Sequence, residues 1–330
     1  MKKLLLLSTL FSLFCGIIFG QHLIRVNNDP AANADYTTIQ SAIDGAQPGD
    51  TIYVEGSPVN YAGAKIDKKL VIIGPGYFLA DNDSTQANIH VAEISASLDF
   101  IKGSEGSKVC GLIIDQTIYI RDDEIVVSRC KINKLQIYSN SNNITITQNF
   151  ISDISTYYVN LTNSVISNNI TNYISVSKAS YPLQITNNVF IGGTQTYVLS
   201  GVYNSTISNN IFIHPTRKMQ ENTGNTIINN IFSYDGTDAN GNKYNIDMTD
   251  VFVDPDGTLG YSQDARYKLK AGSPAIGAGV TGVDCGVFGG ATPYVLSGLP
   301  PIPRIYEAAI AGTAYSDKGL SCIIKIKAGK

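Results

Sequence analysis

From residue 146 onward the chain repeats itself. Ile146-Thr147-Gln148-Asn149-Phe150 returns as Ile166-Ser167-Asn168-Asn169-Ile170 and as Ile185-Thr186-Asn187-Asn188-Val189. Two more copies are Ile207-Ser208-Asn209-Asn210-Ile211 and Ile227-Ile228-Asn229-Asn230-Ile231. The second amide residue falls at 149, 169, 188, 210 and 230, in steps of 20, 19, 22 and 20. Val127-Ser128-Arg129-Cys130-Lys131 is a degenerate copy 19 residues upstream. A chain with such a period folds as stacked units, because no single unit can bury its own apolar face.

The columns of the repeat say what kind of unit is stacked. Ile stands three residues before each key Asn, and Phe, Ile or Val stands one residue after it. Both columns are β-favouring and uniformly apolar, so both are expected to point into a core. Between them come Thr or Ser (Ile228 excepted) and then Gln or Asn, expected to face out or make a turn. The key Asn is expected to tolerate left-handed backbone at a sharp bend. Stacked Asn side chains are also expected to hydrogen-bond from coil to coil. A leucine-rich repeat shares the period but needs a Leu lattice and a helix or similar turn per unit. This chain has Ile and Val at strand spacing instead, so the expected fold is all-β, a right-handed parallel β-helix. Coils running from about residue 50 to about 275 would number roughly ten or eleven. At about 4.8 Å per coil they form a body ~50 Å long.

A stack of strands must cover its ends. Thr37-Thr38-Ile39-Gln40 has capping-box form, and Ile39, Ala42, Ile43 and Ala46 share one helical face, so a capping helix is expected over 37–46. Pro48-Gly49 stops it, and Thr51–Val54 and Leu70–Ile73 follow as the first strands. At the other end, Pro300-Pro301-Ile302-Pro303 is an extended link. Arg304 to Ala311 and Leu320 to Lys327 are expected to pair as final strands. The domain plan is therefore a signal peptide at 1–20, the capped β-helix at 21–295, and the link and tail at 296–330.

The signal peptide follows from Lys2 and Lys3, the apolar run Leu4 to Phe19, and Gly20 before Gln21. Export to the periplasm, cell surface or medium is expected, with no membrane span in the mature chain. Removing Lys2 and Lys3 takes the formal charge from −3 to −5, and no basic stripe exists to neutralise phosphates, which excludes a nucleic-acid partner. Cys110, Cys130, Cys285 and Cys322 lack metal-site spacing. Cys110 and Cys130, one repeat apart, are expected to be buried free thiols, and Cys285 and Cys322 to pair.

The segment Tyr36 to Ile43, then Gln47 to Val54, then Leu70 to Gly76 resembles the opening of pectin-lyase-like β-helix proteins. The Asn-rich repeats are similar to that family's repeats. Ser273 to Gly277, Asp284 to Gly290 and Gly298 to Pro303 resemble the end of exported β-helix proteins from Bacteroidetes-type bacteria. The resemblance spans most of 22–303. It implies the superfold, which hosts lyases, hydrolases, esterases and adhesins alike.

A lyase of the family implies a base beside a uronate carboxylate, often with Ca²⁺ held by acids. The longest coil offers His214 as a proton carrier and Arg217 or Lys218 as anion binders, near Glu221. Asp235, Asp238 and Asn240 have the oxygen-rich look of a calcium loop, but Asp238 lacks the Gly at loop position six and Thr249 stands where a bidentate Glu belongs. A hydrolase needs two or three carboxylates at fixed separations. Among the Asn-bearing coils only Asp153 and the loop's Glu221 are acidic, so Asp115, Asp122, Asp247, Asp250 and Asp254 near the ends are the alternatives. The chain holds 19 Tyr and no Trp, and Tyr138, Tyr158 and Tyr197 recur near coil spacing, so they are candidate sugar-stacking residues. The expected function is a noncatalytic exported protein binding polysaccharide or a cell-surface glycan. The alternatives are a polysaccharide lyase or glycoside hydrolase, and a structural or adhesive stack.

Overall fold

The computed structural model describes residues 22–138, 141–157, 161–176, 182–220, 222–313 and 319–329. The expected signal peptide lies outside them. The chain is a parallel β-helix. One sheet has ten parallel strands, from Leu23–Val26 through Thr51–Val54 to Thr226–Ile228. A second has eleven and begins at Ala64–Ile66. The long strand Ile113–Ile120 pairs with Glu93–Ile94 through its first half and with Leu98–Phe100 through its second. The long strand Ile170–Ser175 does the same with Val189–Phe190 and Leu199–Ser200. The second sheet therefore turns a corner, and the solenoid has three walls.

The repeat divides its labour differently from the expectation. The left-handed residue is the one before the key Asn: Arg129, Gln148, Asn168, Asn187, Asn209 and Asn229 have φ between 52° and 59°. The key Asn residues 149, 169, 188, 210 and 230 are fully buried and do the coil-to-coil bonding. Each carbonyl Oδ1 accepts the backbone N–H and the side-chain N–H of the preceding coil's Asn, at 2.9–3.0 Å. Each Nδ2 also donates to a backbone carbonyl, such as Ile166 for Asn188. Asn242 adds a last rung, and Cys130 ends the ladder at the other side by donating its N–H to Asn149. A buried amide so fully paired costs nothing in lost hydration and orients its neighbours.

Both apolar columns are buried, apart from the half-buried Phe150 and Ile227, but in different cores. Ile146, Ile166, Ile185 and Ile207 fill the solenoid interior. Ile170, Val189, Ile211 and Ile231 form a second core outside the wall, with Val251, Cys285, Val287 and Tyr294. Successive strand residues face opposite sides. Phe190, Phe212 and Phe232 stand one position later and point inward, stacked at 4.5 and 4.8 Å, so the column before them must face out.

That outward column is covered by the chain itself. The coils end near Lys243, which bridges to Ile231, rather than near 275. Residues 246–303 then run back down the outside. The left-handed residues hold this strap: Asn229 Nδ2 donates to Ala278 O, Asn187 to Asp284 O, Asn168 to Val287 O and Gly289 O, and Arg129 to Leu299 O. Gly286 crosses Ile211 at φ 82°, where a Cβ would lie 2.7 Å from Ile211 Cδ1. Farther down, buried Asp264 accepts from Asn82, Ser262 and the backbone of Ser297, tying the strap to the first coils.

The capping helix spans Ile39–Gly45 and buries Ile39, Ala42 and Ile43. Thr38 is its N-cap, accepting from Ser41 N, while Gln40 accepts the N–H of Lys65 on the terminal strand of the second sheet. An additional strand, Leu23–Val26, precedes it. The other end is closed by Tyr244 stacked on Phe232 at 4.5 Å. Arg304–Ile310 and Cys322–Lys327 form the expected antiparallel pair, which leans on the first coils through Ala87 N to Ile305 O. The expected Cys285–Cys322 pair is not formed. All four thiols among the described residues are free, because Cys285 is locked in the strap core and Cys322 sits on the exposed tail. No helix among the described residues is long and apolar enough to cross a membrane.

Candidate functional site

With the second wall under the strap, the outer surface of the third wall is the place where exposed aromatic and polar side chains meet. Its strands are the distal halves of Ile113–Ile120, Lys131–Tyr138, Phe150–Tyr157 and Ile170–Ser175. Leu135, Ile154 and Ile174 point inward in register. The residues just before them, Lys134, Asp153 and Tyr173, therefore form one outer row.

A groove of about 410 Å³ opens on this surface. Tyr157, Tyr173 and Tyr197 line it, together with Lys134, two Gln, and five Ser or Thr residues. Tyr157 is 51% exposed and Tyr197 42%. Tyr173 stands opposite Asp153 in the strand register. Burial holds the Asp153 carboxyl above its ordinary range, against the opposing pull of Tyr173 and Lys134. The same burial, with Asp153 alongside, raises the Tyr173 phenol.

The three predicted tyrosines fare differently. Tyr197 lines the groove. Tyr138 is the middle ring of a ladder, 5.7 Å from Tyr119 and 5.4 Å from Tyr157. The Arg121 guanidinium sits 4.5 Å from the Tyr138 ring centre and is fixed by Asp99 at 2.8 Å. That places a cation where a sugar would stack. Tyr158 lies outside the described residues. Tyr157 and Tyr173 complete the groove, although the Asn-aligned repeat does not single them out. They stand eight residues after Asn149 and four after Asn169, so they fall in different columns.

The lyase candidates lie beside this groove and fold onto one another. His214 Nδ1 receives the backbone N–H of Arg217 at 3.2 Å, and the Arg217 Nε contacts His214 Nε2 at 3.2 Å. Burial and the adjacent Arg217 push the imidazole pKa down. Arg217 Nη1 donates to Gln195 O, on the segment that carries Tyr197. Lys218 rests over the Tyr234 ring at 5.4 Å, and its carbonyl accepts from Val198 N. Glu221 lies outside the described residues. In geometry the loop is a brace for the groove wall.

Asp235, Asp238 and Asn240 all stand on the exposed turn that closes the last coil. Asp238 accepts the Tyr244 N–H, and Asn240 is left-handed and gives its carbonyl to Asn229 N. No group of three or more His, Cys, Asp or Glu able to hold a metal occurs among the described residues. Away from the groove, Asp115 stands beside Glu93 and, with burial, raises its carboxyl. Asp122 caps the turn at Gly103 and Glu105, Asp247 caps a helix at Thr249, Asp250 meets Lys270, and Asp254 holds Thr258.

No protein-family model matches the chain, and no curated protein matches it.

Proposed function

We propose that this is an exported, pectin-lyase-like β-helix protein that binds glycan, without cleaving it, in the groove on its third wall. The observation that carries the reading is the groove lined by Tyr157, Tyr173 and Tyr197 among hydrogen-bonding side chains that are uncharged except for Lys134. Aromatic faces bury the C–H faces of pyranose rings, and side-chain amides and hydroxyls match sugar hydroxyls. The groove is shallow and lies along stacked strands, which suits a polymer segment more than an enclosed small molecule.

The test is retardation of the mature protein in gels containing polysaccharide. Tyr157→Ala and Tyr197→Ala should each weaken binding by about tenfold, since loss of one ring contact is worth about 1–1.5 kcal/mol. A depolymerisation screen with and without Ca²⁺ runs in parallel. Unsaturated products would replace this reading with a lyase, and new reducing ends without unsaturation with a hydrolase. Binding untouched by either Tyr substitution would move the site elsewhere.

A further inference from the structure

The groove that the proposed function assigns to glycan also carries information about the charge of its ligand. Lys134 is the one charged residue among its described lining residues. Asp153 stands directly opposite Lys134 in the strand register, in the neighbouring coil. The carboxylate lies close enough for Lys134 to favour its ionised form. Tyr173 stands opposite Asp153 in the next coil. The row Lys134, Asp153, Tyr173 is thus internally balanced, and its positive charge faces a built-in anion.

Two arginines near the groove, among the described residues, are also engaged. Arg121 is held by Asp99 at 2.8 Å and clasped by two tyrosine rings. Arg217 gives one guanidinium nitrogen to Gln195 O at 2.6 Å and turns Nε to His214. Recognition of a sugar carboxylate or sulfate calls for charge-assisted donors, above all a bidentate Arg. A polymer of such sugars would bring its charges up against Asp153. Uncharged sugar hydroxyls, each both donor and acceptor, match the side chains of Gln136, Gln195 and Ser200.

We infer that the groove selects a neutral polysaccharide, with Asp153 cancelling Lys134 and so excluding uronate and sulfated chains. This rests on the reading of the groove as a glycan site. The two are separated by one experiment on the full mature chain. Retardation is measured in gels of galactomannan, xyloglucan, mixed-linkage β-glucan, polygalacturonate and alginate, at low salt and with 0.5 M NaCl. Wild type is expected to be retarded by at least one neutral polymer, equally at both salt levels, and not by either polyuronate. Asp153→Asn leaves Lys134 uncompensated. It should acquire polyuronate binding that disappears in 0.5 M NaCl, while neutral binding changes less than threefold.

Salt-sensitive polyuronate binding by wild type would overturn the inference while leaving the glycan reading intact. So would an Asp153→Asn variant with no gain on polyuronate. No retardation in any of the five polymers would overturn the glycan reading, and this inference with it. Circular dichroism and a thermal melt matching wild type confirm that each variant is folded.

Discussion

Removing one rung of the asparagine ladder tests whether it carries stability or merely accompanies the stacked strands. Asn188 is the middle rung. Its Oδ1 accepts from Asn169 N and Asn169 Nδ2 at 3.0 Å, and its Nδ2 donates to Ile166 O and Asn210 Oδ1 at 2.9 and 3.0 Å. Asn188→Ala removes these bonds and leaves the Asn169 backbone N–H buried with no partner. That orphaned donor costs about 1–3 kcal/mol, and each further bond lost adds about 0.5–1.5 kcal/mol net. The expected loss is about 3–4 kcal/mol, since the surviving partners relax in part. Asn188→Asp separates hydrogen bonding from shape. At neutral pH its carboxylate has no N–H to offer the carbonyls of Ile166 and Asn210. Protonation restores one donor. The variant should be less stable than Asn188→Ala at pH 7 and recover relative to it near pH 4. Urea unfolding followed by circular dichroism reads the midpoint and slope. Amide hydrogen exchange at residues 146–150 and 166–170 reads whether the opening is local, as expected of a one-dimensional stack. A loss below 1 kcal/mol for Asn188→Ala, or equal stability of the two variants at both pH values, would refute the ladder's role.

Other consequences of the structure can be checked singly. Gly286→Ala puts a Cβ at φ 82° and 2.7 Å from Ile211 Cδ1. Left-handed strain of about 1–2 kcal/mol and overpacking of about 1–3 kcal/mol should lower the unfolding midpoint, and a midpoint within error of wild type would contradict the strap path. Burial raises the thiols of Cys110 to about 11 and of Cys285 to about 12, and raises Cys130 further, while Cys322 is exposed. A thiolate-specific disulfide reagent at pH 8 should therefore titrate one thiol of the native protein expressed as residues 21–330 quickly, and four in denaturant. The His214 imidazole has a folded pKa below its unfolded value of about 6.5. Its contribution to stability is then present above that pH and is lost as pH falls toward the folded pKa. The drop in melting temperature from pH 7.5 to 5 should be smaller in His214→Gln, and an unchanged drop would show that the brace does not titrate.

Much of the fold was legible because repeated burial leaves a repeated mark. Ile at three before the key Asn must be apolar in every coil, and the ladder demands an amide at one position in each. The step pattern therefore announced stacked parallel coils. The neighbouring amide was harder to interpret. Asn168 and Asn169 look alike in the sequence, yet one bends the backbone and holds the strap while the other bonds within the stack. Residue type cannot separate those duties, since Asn serves both. The groove was legible only in part. Tyr197 was marked, but Tyr157 and Tyr173 were not singled out, because they stand at different offsets from the key Asn, eight residues after Asn149 and four after Asn169, and so form no repeat column.

The parallel β-helix, the helix over its first end and the paired strands of its tail were dictated by residue order alone. Period, β-branched columns and turn residues are local properties, and each coil repeats them. That the column Ile170, Val189, Ile211 and Ile231 faces outward under residues 246–303 was settled by tertiary packing. So was the contact of Arg217 with His214 and with the carbonyl of Gln195. Those outcomes depend on which distant segment comes to lie against an exposed face, and an apolar or charged residue reads the same in sequence whichever partner arrives.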